Sequence, residues 1–221
     1  MEKKVYIGVG HGGSDYGAVG YVVEKQANLR MALACAKCLR DNGVSVKLSR
    51  TTDCDSSISE KVKEANCWGA DLAIDIHNNA GGASGAEVFY SVNGGKGKEL
   101  ATNILENLVK IGQNNRGIKQ RAEGDMDYYG FIRMTDMPAV ITEAAFVDNP
   151  SDASKIKTEA QCNKFGIAIA RGILDTLGIS TISKVTGYYK VQVGAFKNKK
   201  NAAKLRNELK KKGYSAMIVR S

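Results

Sequence analysis

Three short apolar, β-branched runs constrain what this chain can fold into: Val5-Tyr6-Ile7-Gly8-Val9, Leu72-Ala73-Ile74-Asp75-Ile76 and Pro138-Ala139-Val140-Ile141-Thr142-Glu143. Runs this short and this apolar read as buried strands of a sheet covered on both sides. Between them lie segments with helical spacing. Residues 24–41 place Met31, Cys35 and Leu39 on one face, and 59–69 place Val62, Ala65 and Asn66 near an inner face. Residues 97–112 carry Leu100, Ile104, Leu105, Leu108 and Ile111, and 151–178 close with Phe165, Ile169, Ile173 and Leu177 in a single helix. Val44–Leu48 and Ala86–Val92 add strands, while 113–130 reads as a long polar loop of the kind that borders a site. Alternating strands and helices predict an α/β fold: a largely parallel sheet with helices on both faces.

The only two histidines sit at the ends of two of these runs, His77 at the close of the second and His11 just after the first. In open α/β sheets ligands collect outside the carboxyl ends of the strands, so parallel neighbours would bring both imidazoles to one edge. Two His and one Glu, with a fourth position left for water, make a common catalytic zinc site. One histidine at a strand end is by itself more often structural; two in matching contexts favour a shared site. Two glutamates suit the remaining roles. Glu24 opens the first helix, where an acid also serves as a plain dipole-complementing residue. Glu143 ends a buried run, where an acid is costly unless paired or bound. The glycine-rich stretch Gly10–Gly17 lacks the lysine of a phosphate loop and the GxGxxG spacing, and is read as backbone that brings His11 close to a ligand.

Charge divides the chain. Residues 180–221 hold 11 of the 32 Lys/Arg and one of the 23 Asp/Glu, so the net +9 belongs to the tail and the body stands at −1. A near-neutral body with a basic tail reads as a folded core plus an anion-seeking module. The five cysteines show no disulfide framework, and Cys35-Ala36-Lys37-Cys38 lies within a helical pattern, so reduced thiols and folding in the cytoplasm are expected. No run of roughly 18 apolar residues is present, so no membrane span is expected. Met1–Val5 leads straight into a strand pattern, without a signal-peptide core.

Val9-Gly10-His11-Gly12-Gly13 with Asp15 and Gly17, Glu24 at a helix start, Asp75-Ile76-His77-Asn78-Asn79-Ala80 and Pro138-Ala139-Val140-Ile141-Thr142-Glu143-Ala144-Ala145-Phe146-Val147-Asp148-Asn149 stand in this order. Together they resemble the zinc-dependent N-acetylmuramoyl-L-alanine amidases of the amidase-3 family, over about residues 4–178. The resemblance implies a mixed, mainly parallel six-stranded sheet. It implies one zinc ion per catalytic domain, on His11, Glu24 and His77, and puts the catalytic glutamate at Glu143. Arg133, matching the arginine before the family's catalytic strand, and Asn79 are the implied substrate-binding residues. Two departures stand out: Asp75-Ile76-His77-Asn78 where the family usually has Ser-Ile-His-Ala, and Glu143-Ala144-Ala145-Phe146 where it usually has Glu-x-Gly-Phe.

The tail, Tyr188–Phe196 followed by Asn201–Arg206 and Gly213–Val219, is similar to the first half of a SPOR domain, a module that binds peptidoglycan glycan strands. It reads as a small βαβ module with Tyr189, Gln192 and Phe196 on the wall. The expected organisation is a catalytic domain at 1–179, a linker at 180–187 and the module at 188–221. A βαβ unit this small is short of a self-sufficient core, so self-association, docking on the body and partial disorder all stay open.

The reaction so implied is hydrolysis of the amide joining N-acetylmuramic acid to L-alanine, with zinc polarising the carbonyl and Glu143 moving protons. The partner is peptidoglycan, and neither nucleic acid nor a membrane is expected; the tail lacks any helix-turn-helix or RNP pattern. A zinc peptidase acting within the stem peptide and a wall-binding protein without catalysis are the alternatives. The setting implied is a phage endolysin released through a holin, or a bacterial autolysin freed when the cell that made it lyses.

Overall fold

The apolar runs become the middle of one sheet. The computed structural model describes residues 2–180 and 193–218. β1 (Lys4–Val9), β3 (Leu72–Asn79) and β8 (Ala139–Phe146) lie side by side and parallel, with β2 (Ser45–Leu48) outside β1. Beyond β8 come β4 (Ala86–Tyr90), antiparallel to it, and β5 (Asn115–Lys119), parallel to β4. The six-stranded order is β2-β1-β3-β8-β4-β5. The expected mixed, mainly parallel sheet is therefore present.

Side chains alternate across a strand, which splits the sheet's apolar residues between two layers. On one face Val5, Ile7, Ile74, Ile76 and Val140 meet Met31 and Leu39 of α1 (Glu24–Asp41), Ile104 and Leu108 of α3 (Gly95–Lys110), and Ile169 and Ile173 of α6 (Glu159–Leu177). On the other, Tyr6, Ala73 and Ile141 meet Val62 and Ala65 of α2 (Ile58–Trp68) and Phe131 and Ile132 of the short α4 (Gly130–Met134). Cys35 lies in the first core, and Cys38 packs half-buried against it.

Three sequence expectations need correction. The stretch 113–130 is not one loop: it supplies β5, then a hairpin of β6 (Ala122–Glu123) and β7 (Met126–Asp127). Asn115-Arg116-Gly117-Ile118-Lys119 holds one large apolar residue, as suits an edge strand, and so carries no periodic signal. The closing helix over 151–178 is two helices, α5 (Pro150–Ile156) and α6. Thr158 interrupts them with a capping box: its hydroxyl accepts from the Gln161 amide while the Gln161 side chain takes the Thr158 amide. Glu143 does not end its strand; β8 runs on to Phe146, and the register shifts there, three residues of β8 from Glu143 to Phe146 spanning two of β3 from His77 to Asn79, so that the extra residue lies on β8.

Contacts divide the chain into Met1–Ile182 and Ser183–Ser221. The described part of the second unit holds one helix, α7 (Lys199–Lys211), capped by the Asn198 side chain on the Lys200 amide. None of its residues is buried. No strand forms at 193–198 or 214–218 among the described residues, where the sequence pattern placed parts of two. Tyr189 and Gln192 lie outside the described residues, as does most of the expected linker, while Phe196 is exposed. Among the described residues no helix is long and apolar enough to cross a membrane.

Candidate metal centre

The chain leaves β1 through a backbone conformation that most side chains avoid. His11 has φ 58°, the one positive φ outside glycine among the described residues. Such a conformation costs about 1–3 kcal/mol and persists where the surroundings over-determine it. Here they do. The Gly10 amide donates to the Ile76 carbonyl, and the Gly10 carbonyl accepts from Asn28 Nδ2 and Arg50 Nη2, both at 3.1 Å. Gly12 and Asp15 then exchange two backbone hydrogen bonds of 2.9 Å.

Glu24, first residue of α1, is buried between the two imidazoles. Its Oε2 lies 3.1 Å from His11 Nε2 and accepts from the Ala18 amide at 2.9 Å. Its Oε1 lies 3.1 Å from His77 Nδ1 and accepts from the Asn78 amide and Asn28 Nδ2, both at 3.2 Å. Each carboxylate oxygen thus faces one histidine. Nδ1 of His11 is 2.7 Å from Asp15 Oδ2, and Nε2 of His77 is 3.4 Å from Asp75 Oδ2. The rings stand edge-on, centroids 4.9 Å apart. One ligand atom from each of His11, Glu24 and His77 lies within 4.8 Å of the others, so the three could hold one metal ion.

Backbone crowds this cluster closely. A Cβ on Gly10 would sit 2.5 Å from the His77 ring, and one on Gly17 (φ 64°) would sit 2.5 Å from both Glu24 Oε2 and the His11 ring. Only glycine fits at either position.

Glu143 pairs with His77 across β3 and β8, and with Glu87 across β8 and β4, so the three stand in one row on one face. Its Oε2 is buried without a hydrogen-bond partner. Burial pushes its pKa up to about 7, against the pull of the His77 charge. Glu87, also buried, instead accepts from Arg116 Nε and Lys119 Nζ, both at 2.6 Å, which hold it below the usual carboxylate range despite desolvation.

Electrostatics binds the ligand trio. Burial opposes ionisation of Glu24, yet hydrogen bonds from His11 and His77 hold it well below the ordinary carboxylate value. The hydrogen bond to Glu24 raises His11. Burial works against a charged His77, but Asp75 and Glu24 hold it up to about 10.

The structure brings His11, Glu24 and His77 within reach of one another and sets Glu143 opposite His77 in the sheet. Arg133 is not in this group: exposed on α4, it donates to the carbonyls of Asp127 and Tyr128 at 2.8 and 3.2 Å and steadies the end of the β6–β7 hairpin. Asn79 uses its side-chain oxygen on the Ala80 amide. Sequence reasoning missed Asp15, Asp75, Asn28 and Glu87. Spacing held a signal for two of them: Asp75 lies two residues before His77, on the same strand face, and Asn28 lies one helical turn after Glu24.

Comparison with known proteins agrees with this geometry. The family model described as N-acetylmuramoyl-L-alanine amidase matches residues 5–175, and that for the SPOR domain matches 144–220, starting within β8 and overlapping α5 and α6. N-acetylmuramoyl-L-alanine amidase CwlM of Bacillus licheniformis is 36% identical over 220 residues, covering 98% of this chain and 84% of its own. The sporulation-specific N-acetylmuramoyl-L-alanine amidase of Bacillus subtilis is 36% identical over 221 residues, with the same coverage, 98% and 84%. The catalytic domain of CwlV, an N-acetylmuramoyl-L-alanine amidase from Bacillus (Paenibacillus) polymyxa var. colistinus, superposes with a TM-score of 0.72. It is 31% identical and covers 80% of this chain and 99% of its own.

Proposed function

The chain belongs to the amidase-3 family of N-acetylmuramoyl-L-alanine amidases, and on that premise we propose that His11, Glu24 and His77 hold one zinc ion beside Glu143, the proton carrier. The activity is hydrolysis of the amide between N-acetylmuramic acid and L-alanine in peptidoglycan. Two imidazole nitrogens and one carboxylate oxygen form a donor set that suits zinc and leaves a position for a small ligand. The partnerless Glu143 oxygen next in the row fits a group awaiting a proton. When bound, zinc supplies Lewis acidity toward the scissile carbonyl and an attacking water.

The chain's own residues supply the rest. Ionised Glu143 accepts the proton of the attacking water on a carboxylate oxygen and returns a proton to the departing L-alanine amine. Its raised pKa suits both halves of that exchange near neutral pH. Glu24 keeps both imidazoles oriented, and its burial limits solvent competition for the ligands. Asn79, just past His77, and Arg133, at the hairpin, are proposed substrate contacts; the tail, through Tyr189, Gln192 and Phe196, is proposed to engage glycan strands as a unit distinct from the body. The SPOR match and the tail's basic charge support that second role. Likeness of the whole chain to a sporulation-specific amidase supports a setting in which the wall is reached when the producing cell lyses.

One observation carries the catalytic reading: three ligand atoms converge beside a buried carboxylate oxygen with no partner. The test is clearance of purified walls by native protein, by chelated protein restored with zinc, and by Glu143→Ala. Zinc-restorable clearance that frees L-alanine amino groups and is lost in Glu143→Ala, which still binds zinc, is expected. Release of other amino termini would make it a stem peptidase instead.

A further inference from the structure

We propose that Asp75, held in place by Lys61, is a positioning residue that fixes His77 with Nδ1 toward the metal and the ring proton on Nε2; this rests on the zinc reading above. An imidazole can offer either nitrogen to a metal, and the choice is set by what the other one touches. Here Nδ1 of His77 faces Glu24 at 3.1 Å and Nε2 faces Asp75 at 3.4 Å. His11 has the same scheme with its nitrogens exchanged: Nε2 faces Glu24 at 3.1 Å and Nδ1 faces Asp15 at 2.7 Å. Each ring therefore has one nitrogen on the shared glutamate and the other on an aspartate of its own.

The two aspartates are built differently. The Asp15 side chain is 64% exposed on a loop, whereas Asp75 is 2% exposed in mid-strand. Lys61 of α2, 3% exposed, donates to both Asp75 oxygens, at 3.0 and 3.1 Å. Room for the carboxylate comes from Gly8 across on β1, where a Cβ would lie 2.5 Å from Asp75 Oδ1. A buried ion pair recovers little more than the cost of desolvating it, and an apolar pair of similar size would stabilise the core as well. The pair therefore has weak grounds as a stabilising device. What it does have is a direction: the carboxylate that Lys61 steadies is the one that faces His77.

The test is made on the full chain with zinc alone as the probe. Asp75→Asn leaves Lys61 buried and unpaired, so the decisive variant is Asp75→Asn/Lys61→Met, which removes both charges at nearly constant volume. Zinc affinity, measured by competition with a chromophoric chelator, is expected to fall by about 10- to 100-fold in the double variant. Its metal-free melting temperature should stay near that of the native chain. Lys61→Arg, which keeps the charge, should retain most of the affinity. In ¹⁵N spectra of the zinc-loaded native chain, His77 should show a metal-bound Nδ1 and a protonated Nε2. Equal zinc affinity in native and double-variant protein, or a metal-bound Nε2, overturns the proposal while leaving the zinc site standing. Failure of the native chain to bind zinc would instead overturn the zinc reading itself.

Discussion

Glu143→Gln should abolish catalysis and, at alkaline pH, make the metal-free protein more stable. Burial raises the Glu143 pKa from an ordinary 4.5 to about 7. For an acid whose folded pKa lies above its unfolded one, the folded state holds the proton more tightly. Well below pH 4.5 both states are protonated and the group contributes nothing; between 4.5 and 7 the unfolded chain ionises while the folded one stays protonated, so the penalty builds across that window and is complete above it. At about 1.4 kcal/mol per pH unit, the full penalty above pH 7 is about 3 kcal/mol. Glutamine removes it, since it carries no charge to bury. Urea denaturation of chelated protein at pH 5 and pH 8 provides the assay. The variant should be ahead by less than about 1 kcal/mol at pH 5 and by about 3 kcal/mol at pH 8. The histidines titrate in both proteins, so their effects largely cancel in the difference. Equal stability at pH 8 would refute the claim that Glu143 is buried at a cost for the sake of its chemistry.

Three further outcomes follow from the geometry. Zinc affinity should strengthen with rising pH, because His11 and His77 hold their protons more tightly than free imidazoles in the metal-free cluster and binding must displace them; chelator competition at pH 6, 7 and 8 measures this, and a flat profile would contradict it. Gly10→Ala should cost about 1–3 kcal/mol and leave the purified protein without its zinc, since the new methyl group would stand 2.5 Å from the His77 ring; metal content after dialysis reports it. Arg133→Ala should loosen the β6–β7 hairpin, seen as faster amide exchange around Asp127 and Tyr128, while zinc stoichiometry stays at one.

Strands of mainly apolar composition were legible because burial on both faces leaves few polar residues to blur them; Val5–Val9 and Leu72–Ile76, the latter with Asp75 alone as a charge, fall within β1 and β3. Strand order was not. β8 lies between β3 and β4 although some 60 residues separate it from β3, and long-range pairing leaves no trace in local periodicity. β5 was invisible for another reason: beyond Ile118, which packs on the core, its place depends on the Ala86–Asn115 pairing and on Arg116 and Lys119 reaching Glu87. At the site, His11, Glu24, His77 and Glu143 each stood at a break in a pattern. Lys61 stood at none, because a lysine on an amphipathic helix reads as solvated, and only Asp75 across the interface reveals that it is buried.

The position of β8 bears on how the enzyme assembles. β1, β2 and β3 form one parallel set, β4 and β5 another, and among the described residues no pairing joins the two except through β8. All three proposed ligands come from the first set or the start of α1, and so are synthesised before residue 80, whereas Glu143 arrives on the strand that closes the gap. Until that strand is seated, β3 and β4 each present an unpaired edge, and the proposed ligands stand without the proposed base. Completion of the sheet and completion of the proposed site are then a single event.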